Sequence, residues 1–388
     1  MVQIKNVAVI SSSRADFNYF RLILKKIIES KYLKLSLIIT GNHLLENYGM
    51  TKNLIQKEKI PLTKIIEMYD QNDSSILALG RAIGRAIIKF TEAFNELKPD
   101  ILLVLGDRFE ALAAVIAAST FLIPIAHIHG GDNVSQGQID EQIRHSITKF
   151  SHIHFPATVK SAERIKLLGE EEWRIHMVGS PSIDYLLCEK FFNKKEICEK
   201  LSLDPTQNIA ICLQHPYTIE PDKSGEYMKE TLKALSDLNL QSVIIYPNND
   251  PGNQLIINEI NQYNKNPNFH IFKNLDYFDY YSLLKNSDLM IGNSSGGIIE
   301  SPIFKLPVIN IGDRNRGRES ANNIINVRND YDEIKSAIIN ALSNDTKKKC
   351  QKIINPYGDG KASDRIVKVL ENLDINKKLL IKKLTYNV

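Results

Sequence analysis

Short apolar runs alternate with helical repeats along the whole of this chain, and that alternation constrains the fold more than any other feature. Residues 7–10 read as a buried strand, followed by Ser11-Ser12-Ser13-Arg14-Ala15-Asp16 and a helix to about residue 30. Residues 35–40 read as a second strand. From 75 to 97, apolar side chains recur at helical spacing (Ile76, Leu79, Ile83, Ile87, Phe90, Phe94, Leu97). Gly80 and Gly84 lie one turn apart there and are read as points of close packing. Pro99 ends the helix, and residues 101–105 are apolar throughout, as expected of a parallel strand covered on both faces. Runs at 123–128 and 153–155 continue the series. After Gly179-Ser180-Pro181 a second series begins, with strands expected at 209–213, 242–246, 269–272, 289–291 and 308–311. Two such series predict an α/β protein of two doubly wound domains, and 388 residues suffice for two cores.

Composition narrows the class. The chain is 43% hydrophobic and 24% charged, which is the balance of a soluble globular protein. Its net charge of +4 is small for the length, and Lys377, Lys378, Lys382 and Lys383 read as a solvated helix face rather than a nucleic-acid patch. No apolar run approaches the roughly 18 residues that cross a membrane. Met1-Val2-Gln3-Ile4-Lys5 leads straight into a strand, with no secretory apolar region. Cys188, Cys198, Cys212 and Cys350 lack CxxC spacing and sit in or beside apolar runs, which predicts buried free thiols in a cytoplasmic protein.

Ligands of doubly wound sheets sit beyond the carboxyl ends of the strands, and the polar clusters of this chain fall there. Gly292-Asn293-Ser294-Ser295-Gly296-Gly297 follows an apolar strand and opens a helical run. This predicts a phosphate cradle of free backbone N–H groups, with Glu300 one turn on to accept sugar hydroxyls. Gly312-Asp313-Arg314-Asn315-Arg316-Gly317-Arg318 ends the next strand and adds three arginines. Asp107, in Gly106-Asp107-Arg108, serves as a base, binds sugar hydroxyls, or caps the helix that follows. His127-Ile128-His129 and His152-Ile153-His154 place imidazoles in alternating pairs, but no set completes a metal site, so no metal is expected. Asp140 and Glu141 open a helix soon afterwards, where its dipole also favours acids. His215, held out of helical geometry by Pro216, is a candidate acid for a leaving phosphate or a loop histidine.

These clusters occur in a recognisable order: Ser13-Arg14-Ala15-Asp16, Gly106-Asp107-Arg108-Phe109, His127-Ile128-His129-Gly130-Gly131, Arg144-His145-Ser146-Ile147-Thr148-Lys149, His215-Pro216-Tyr217-Thr218, Tyr246-Pro247-Asn248, Gly292-Asn293-Ser294-Ser295 and Pro356-Tyr357-Gly358-Asp359-Gly360. The set resembles the hydrolysing UDP-N-acetylglucosamine 2-epimerases over nearly the whole chain. The resemblance implies a GT-B fold of two Rossmann-like domains with the site in the cleft between them. Residues 1–179 would form the first domain, 180–365 the nucleotide-binding domain, and 366–388 a helix returning to the first. It implies a homodimer or homotetramer, a UDP-sugar substrate and no cofactor.

The implied reaction is anti elimination of UDP across C1–C2 to a 2-acetamidoglycal, followed by hydration to the inverted free sugar, N-acetylmannosamine. By position, Asp107 and Asp140 match the family's catalytic acids and His215 its diphosphate-side histidine. Arg14, Ser294, Ser295, Glu300 and Arg314 match its nucleotide contacts, and Arg108 and Asn248 stand in matching motifs. Many relatives carry glutamate where this chain has His129. A histidine there, expected in the cleft beside Asp107, can move protons near neutral pH. It also leaves room for a modified substrate such as UDP-2,4-diacetamido-2,4,6-trideoxyglucose. A non-hydrolysing epimerase is the nearest rival.

Overall fold

The structure, a computed structural model, describes residues 4–46, 50–70, 76–133, 139–248 and 250–386. Residues 1–3, residue 75, Gln138 and Asn249, on which the sequence reading drew, lie outside the described residues. Contacts divide the chain into two units, Met1–Leu187 with Tyr357–Val388, and Cys188–Pro356. Residues 180–187 and 357–365, expected in the second domain, thus lie in the first unit. Asp184 is one reason, because its carboxylate accepts from the backbone N–H groups of Ala362 (3.0 Å) and Ser363 (2.5 Å). It thereby caps the helix Ala362–Asn372 from a distant part of the chain.

The first unit holds β1 (Lys5–Ser11), β2 (Leu33–Thr40), β3 (Lys64–Ile66), β4 (Ile101–Leu105), β5 (Ile125–Ile128) and β6 (Ile153–Phe155). They form one parallel sheet in the order β3-β2-β1-β4-β5-β6. Successive side chains point to opposite faces. Val7, Val9, Ile101 and Leu103 pack with the helices Arg14–Glu29 and Ala362–Asn372, while Ala8, Ile10, Leu102 and Val104 pack with Ile76–Leu97 and Phe109–Thr120. Cover on both faces explains why these strands read as unbroken apolar runs.

Three sequence expectations need correction here. Gly80 and Gly84 are not packing points, since no atom lies within 4 Å of where a Cβ would stand at either. They lie on the solvent side of a helix whose buried stripe is Ala82, Ala86, Phe90, Ala93 and Phe94. Cys188 is exposed at a helix end, while Cys198, Cys212 and Cys350 are buried. The C-terminal lysines do not share one helix face, because that helix is only Lys377–Leu380. Lys382 turns inward instead, 2.8 Å from Glu170.

The second unit repeats the plan with β7 (Ile209–Leu213), β8 (Gln241–Ile245), β9 (Phe269–Phe272), β10 (Leu289–Gly292), β11 (Val308–Ile311) and β12 (Ile324–Val327). All pair in parallel, in the order β12-β11-β10-β7-β8-β9. In each sheet the first strand is central and the order reverses beside it, between β1 and β4 and between β7 and β10. Ligand crevices open at such reversals. Ser11–Arg14 and Gly106–Asp107 flank the first, and Gln214–His215 and Gly292–Ser295 the second. Among the described residues no helix is long and apolar enough to cross a membrane.

Candidate active site

In the first unit the candidate residues gather around Arg144. Its buried guanidinium pairs with Asp107, donates to Glu141 at 2.9 Å, and donates to the Asp132 carbonyl at 3.0 Å. Asp107 therefore does not cap the following helix, whose N-cap is Arg108 without a side-chain bond. The Gly106 turn that carries Asp107 is itself pinned by His127, whose Nε2–H donates to the Gly106 carbonyl at 2.8 Å. Burial pushes the His127 imidazole down to about 3, so it stays neutral. Arg108 turns its guanidinium onto the buried Glu110, at 3.0 and 3.2 Å. Arg14 is exposed at the first turn of the helix capped by Ser13. Asp140 stands exposed in the first turn of Ile139–Phe150, while its neighbour Glu141 faces Arg144.

His129 differs most from expectation. Its backbone is left-handed (φ 61°) and its ring is buried between Asp132 and Ser180. Nδ1–H donates to Asp132 at 2.8 Å, and Nε2 lies 3.0 Å from the Ser180 hydroxyl. Its hydrogen-bond partners are these two rather than Asp107, because the turn is pressed against a neighbouring helix. At Gly131 (φ 75°) a Cβ would lie 2.2 Å from the Ser161 carbonyl oxygen. The glycine serves chain packing there, not ligand approach. His154 spends Nε2 on the buried Glu170 at 3.2 Å.

In the second unit Asn293 organises the site. Its side chain accepts the His215 backbone N–H at 2.7 Å and donates to the His215 carbonyl at 2.9 Å. Its own carbonyl receives Arg314 at 3.2 Å and Asn315 at 3.0 Å. One residue thus ties the ends of β7, β10 and β11 together. Asn248 reaches His215 through its main chain, whose N–H donates to Nδ1 at 3.0 Å, while its side chain bonds Asp250. Burial, with Arg314 adding to it, lowers the His215 imidazole to about 3. The neutral ring therefore carries its proton on Nε2, free to donate.

The helix at the cradle is short, only Ser295–Ile299, with Ser294 as N-cap. So short a helix offers backbone N–H groups rather than a long dipole. Gly292 (φ 133°) lets β10 end against β7, since a Cβ there would lie 2.0 Å from the Leu213 carbonyl oxygen. Glu300 folds back over Gly296, beside the Tyr280 hydroxyl. Burial raises its carboxyl to about 7, against a hydrogen bond with Tyr281. The three arginines of the next loop diverge. Arg314 turns to Asn293, whereas Arg316 is exposed and only 3.9 Å from Asp313.

Sequence reasoning quoted Arg144, Ser180, Asn293 and Asn315 in motifs without giving any of them a role of its own. Kinship with known proteins gives the family. A family model described as UDP-N-acetylglucosamine 2-epimerase matches residues 25–371. The chain belongs to that family. It is 36% identical over 379 residues to the UDP-N,N′-diacetylbacillosamine 2-epimerase (hydrolyzing) of Legionella pneumophila, covering 98% of this chain and 99% of the relative. It is 38% identical over 333 residues to the GDP/UDP-N,N′-diacetylbacillosamine 2-epimerase (hydrolyzing) of Campylobacter jejuni, covering 85% and 86%. The solved UDP-GlcNAc 2-epimerase of Neisseria meningitidis, bound to UDP-GlcNAc, superposes with a TM-score of 0.79 at 19% identity, covering 94% of this chain and 99% of that one. That likeness gives the GT-B fold. As a UDP-sugar 2-epimerase, the chain is an enzyme that acts on a nucleotide sugar.

Proposed function

We propose that this epimerase is of the hydrolysing kind and that its preferred substrate is UDP-2,4-diacetamido-2,4,6-trideoxyglucose, that is, UDP-N,N′-diacetylbacillosamine. Water and this substrate give UDP and the free 2-epimerised sugar. One observation carries the reading: two relatives that match most or all of the chain, at 36% and 38% identity, bear that activity in their names. UDP-N-acetylglucosamine, expected from the resemblance, becomes the second reading, supported by the description of the family model.

The diphosphate binds the backbone N–H groups of Ser294 and Ser295 with Arg314, and the ribose hydroxyls donate to Glu300. Arg14 and Arg108 are assigned nucleotide contacts from the family resemblance alone. A base takes the C2 proton, its electron pair forms the C1–C2 double bond, and the C1–O bond breaks to release UDP. His215 Nε2–H steadies the departing phosphate oxygen as a neutral donor, the state that its burial and the Asn248 N–H favour. Asp107, aimed by Arg144, is assigned the base, and Asp140 the partner acid that returns a proton to C2 from the other face while water adds at C1 as hydroxyl. The proton that water gives up reloads Asp140, and Asp107 loses its proton to solvent. His129, with both ring nitrogens engaged, takes part by positioning the turn through Asp132 and Ser180.

The test is a competition. Purified enzyme receives both nucleotide sugars at equal concentration, and the free sugars are followed by NMR. The diacetamido substrate should be consumed at least tenfold faster, since a pocket gains about 10–200-fold per well-placed apolar group. Faster release of N-acetylmannosamine would replace this reading by the second one.

A further inference from the structure

The candidate site leaves one built feature of the first unit unused. A hollow of about 630 Å³ lies between the edge of β6, the turn around Trp173 and the C-terminal helix. Its volume is that of a small-molecule pocket. Ile153, the first residue of β6, marks it at the end of the sheet opposite to Asp107 and His129. Ile153, Val178 and Leu379 form a buried apolar floor. Above that floor, Trp173 and Met177 remain 40% and 51% exposed, leaving a large apolar area open to solvent among the described residues.

The mouth is basic. Arg365, Lys368 and Lys378 line it, with Asp374 as the single carboxylate of the described lining. Arg365 is occupied by Asp359 at 2.7 Å. Lys368 and Lys378 form no ion pair among the described residues, and Lys378 holds its Nζ 5.1 Å from the Trp173 ring centroid. Lys368 and Lys378 thus set two cations against the one carboxylate of Asp374 at the rim of an apolar floor. The walls are also tied together by hydrogen bonds. The buried Arg174 guanidinium donates to the carbonyls of His152, Lys378, Leu379 and Ile381, tying the turn to the C-terminal segment.

We infer that this hollow is a second ligand site, which takes a small amphipathic anion. The apolar body of the ligand lies on Ile153, Val178 and Leu379 against Trp173, and its carboxylate, sulfonate or phosphate meets Lys368 and Lys378. The inference does not rest on which sugar the enzyme turns over.

Trp173 is the only tryptophan of the chain, so the site carries its own reporter. The probe is 8-anilinonaphthalene-1-sulfonate, an apolar aromatic monoanion, titrated into the full-length enzyme. Saturable one-to-one binding is expected, with Trp173 emission falling as sensitised probe emission rises, and with no displacement by UDP. The double variant Lys368→Glu/Lys378→Glu, altered only at exposed positions, should weaken binding at least tenfold while its circular dichroism and UDP affinity stay unchanged. Trp173→Phe should abolish the energy transfer and retain binding. Non-saturable binding, displacement by UDP, or an affinity indifferent to the charge reversal would each overturn the inference.

Discussion

Asn293 and Glu300 show how single residues set the properties of the second unit. Asn293→Ala removes both side-chain bonds to the His215 backbone. It should lower stability by about 1–3 kcal/mol, the usual penalty for stranding buried polar partners, as read in urea unfolding. Turnover should fall further than UDP affinity, because the histidine loses its aim. Glu300 makes a pH prediction. Its carboxyl holds a proton up to about 7 in the folded chain, against an ordinary 4.5. Folding therefore tightens proton binding, and stability contributed at this position falls as pH rises from about 4.5 to about 7. Glu300→Gln should remove that loss, gaining on wild type across the window, while UDP affinity drops and stops depending on pH there. Equal pH–stability profiles would refute the burial argument. The strand-end residues were legible in sequence because glycine and polar clusters punctuate apolar runs. Their organisers were not. Arg144 meets Asp107 from 37 residues away and Asn293 meets His215 from 78, and such pairings depend on strand order. The partners of His129 were hidden for a similar reason, since Ser180 reaches it only through the fold.

At the scale of elements, the two strands that sequence reading missed are β3 and β12, each at one edge of its sheet. Both are short and half-exposed, with Lys64 and Asn326 breaking the apolar signal that burial on two faces imposes on the inner strands. The C-terminal segment was equally opaque, because its anchoring is ionic rather than periodic. Glu170 is buried and holds Lys149 at 2.6 Å, Lys382 at 2.8 Å and His154 at 3.2 Å. Burial alone would raise this carboxyl, yet the hydrogen bonds from His154, Lys149 and Lys382 outweigh it and bring it to about 2. Its stabilisation is thus present above pH 4.5 and is lost as pH falls from there toward 2. Glu170→Leu should cost roughly 3 kcal/mol at neutral pH, as for one partner removed from a buried ionic cluster. The difference from wild type should shrink in acid. Thermal unfolding at pH 7 and pH 4 measures both, and a variant as stable as wild type at pH 7 would deny the latch.

At the scale of the whole molecule, one strand order serves twice, and the two units carry different chemistry at the same topological place. The first presents acids and an arginine hub where β1 and β4 part, and the second presents backbone N–H groups, a neutral histidine and Arg314 where β7 and β10 part. That division underlies the central claim, that the enzyme eliminates UDP and hydrates the glycal instead of returning an epimerised nucleotide sugar. The claim is tested by running UDP-2,4-diacetamido-2,4,6-trideoxyglucose to completion in deuterated water and recording proton NMR of the products. The account predicts stoichiometric UDP and a free 2-epimerised sugar with one deuteron at C2. A product that keeps its UDP, or a free sugar that keeps its C2 proton, would contradict it.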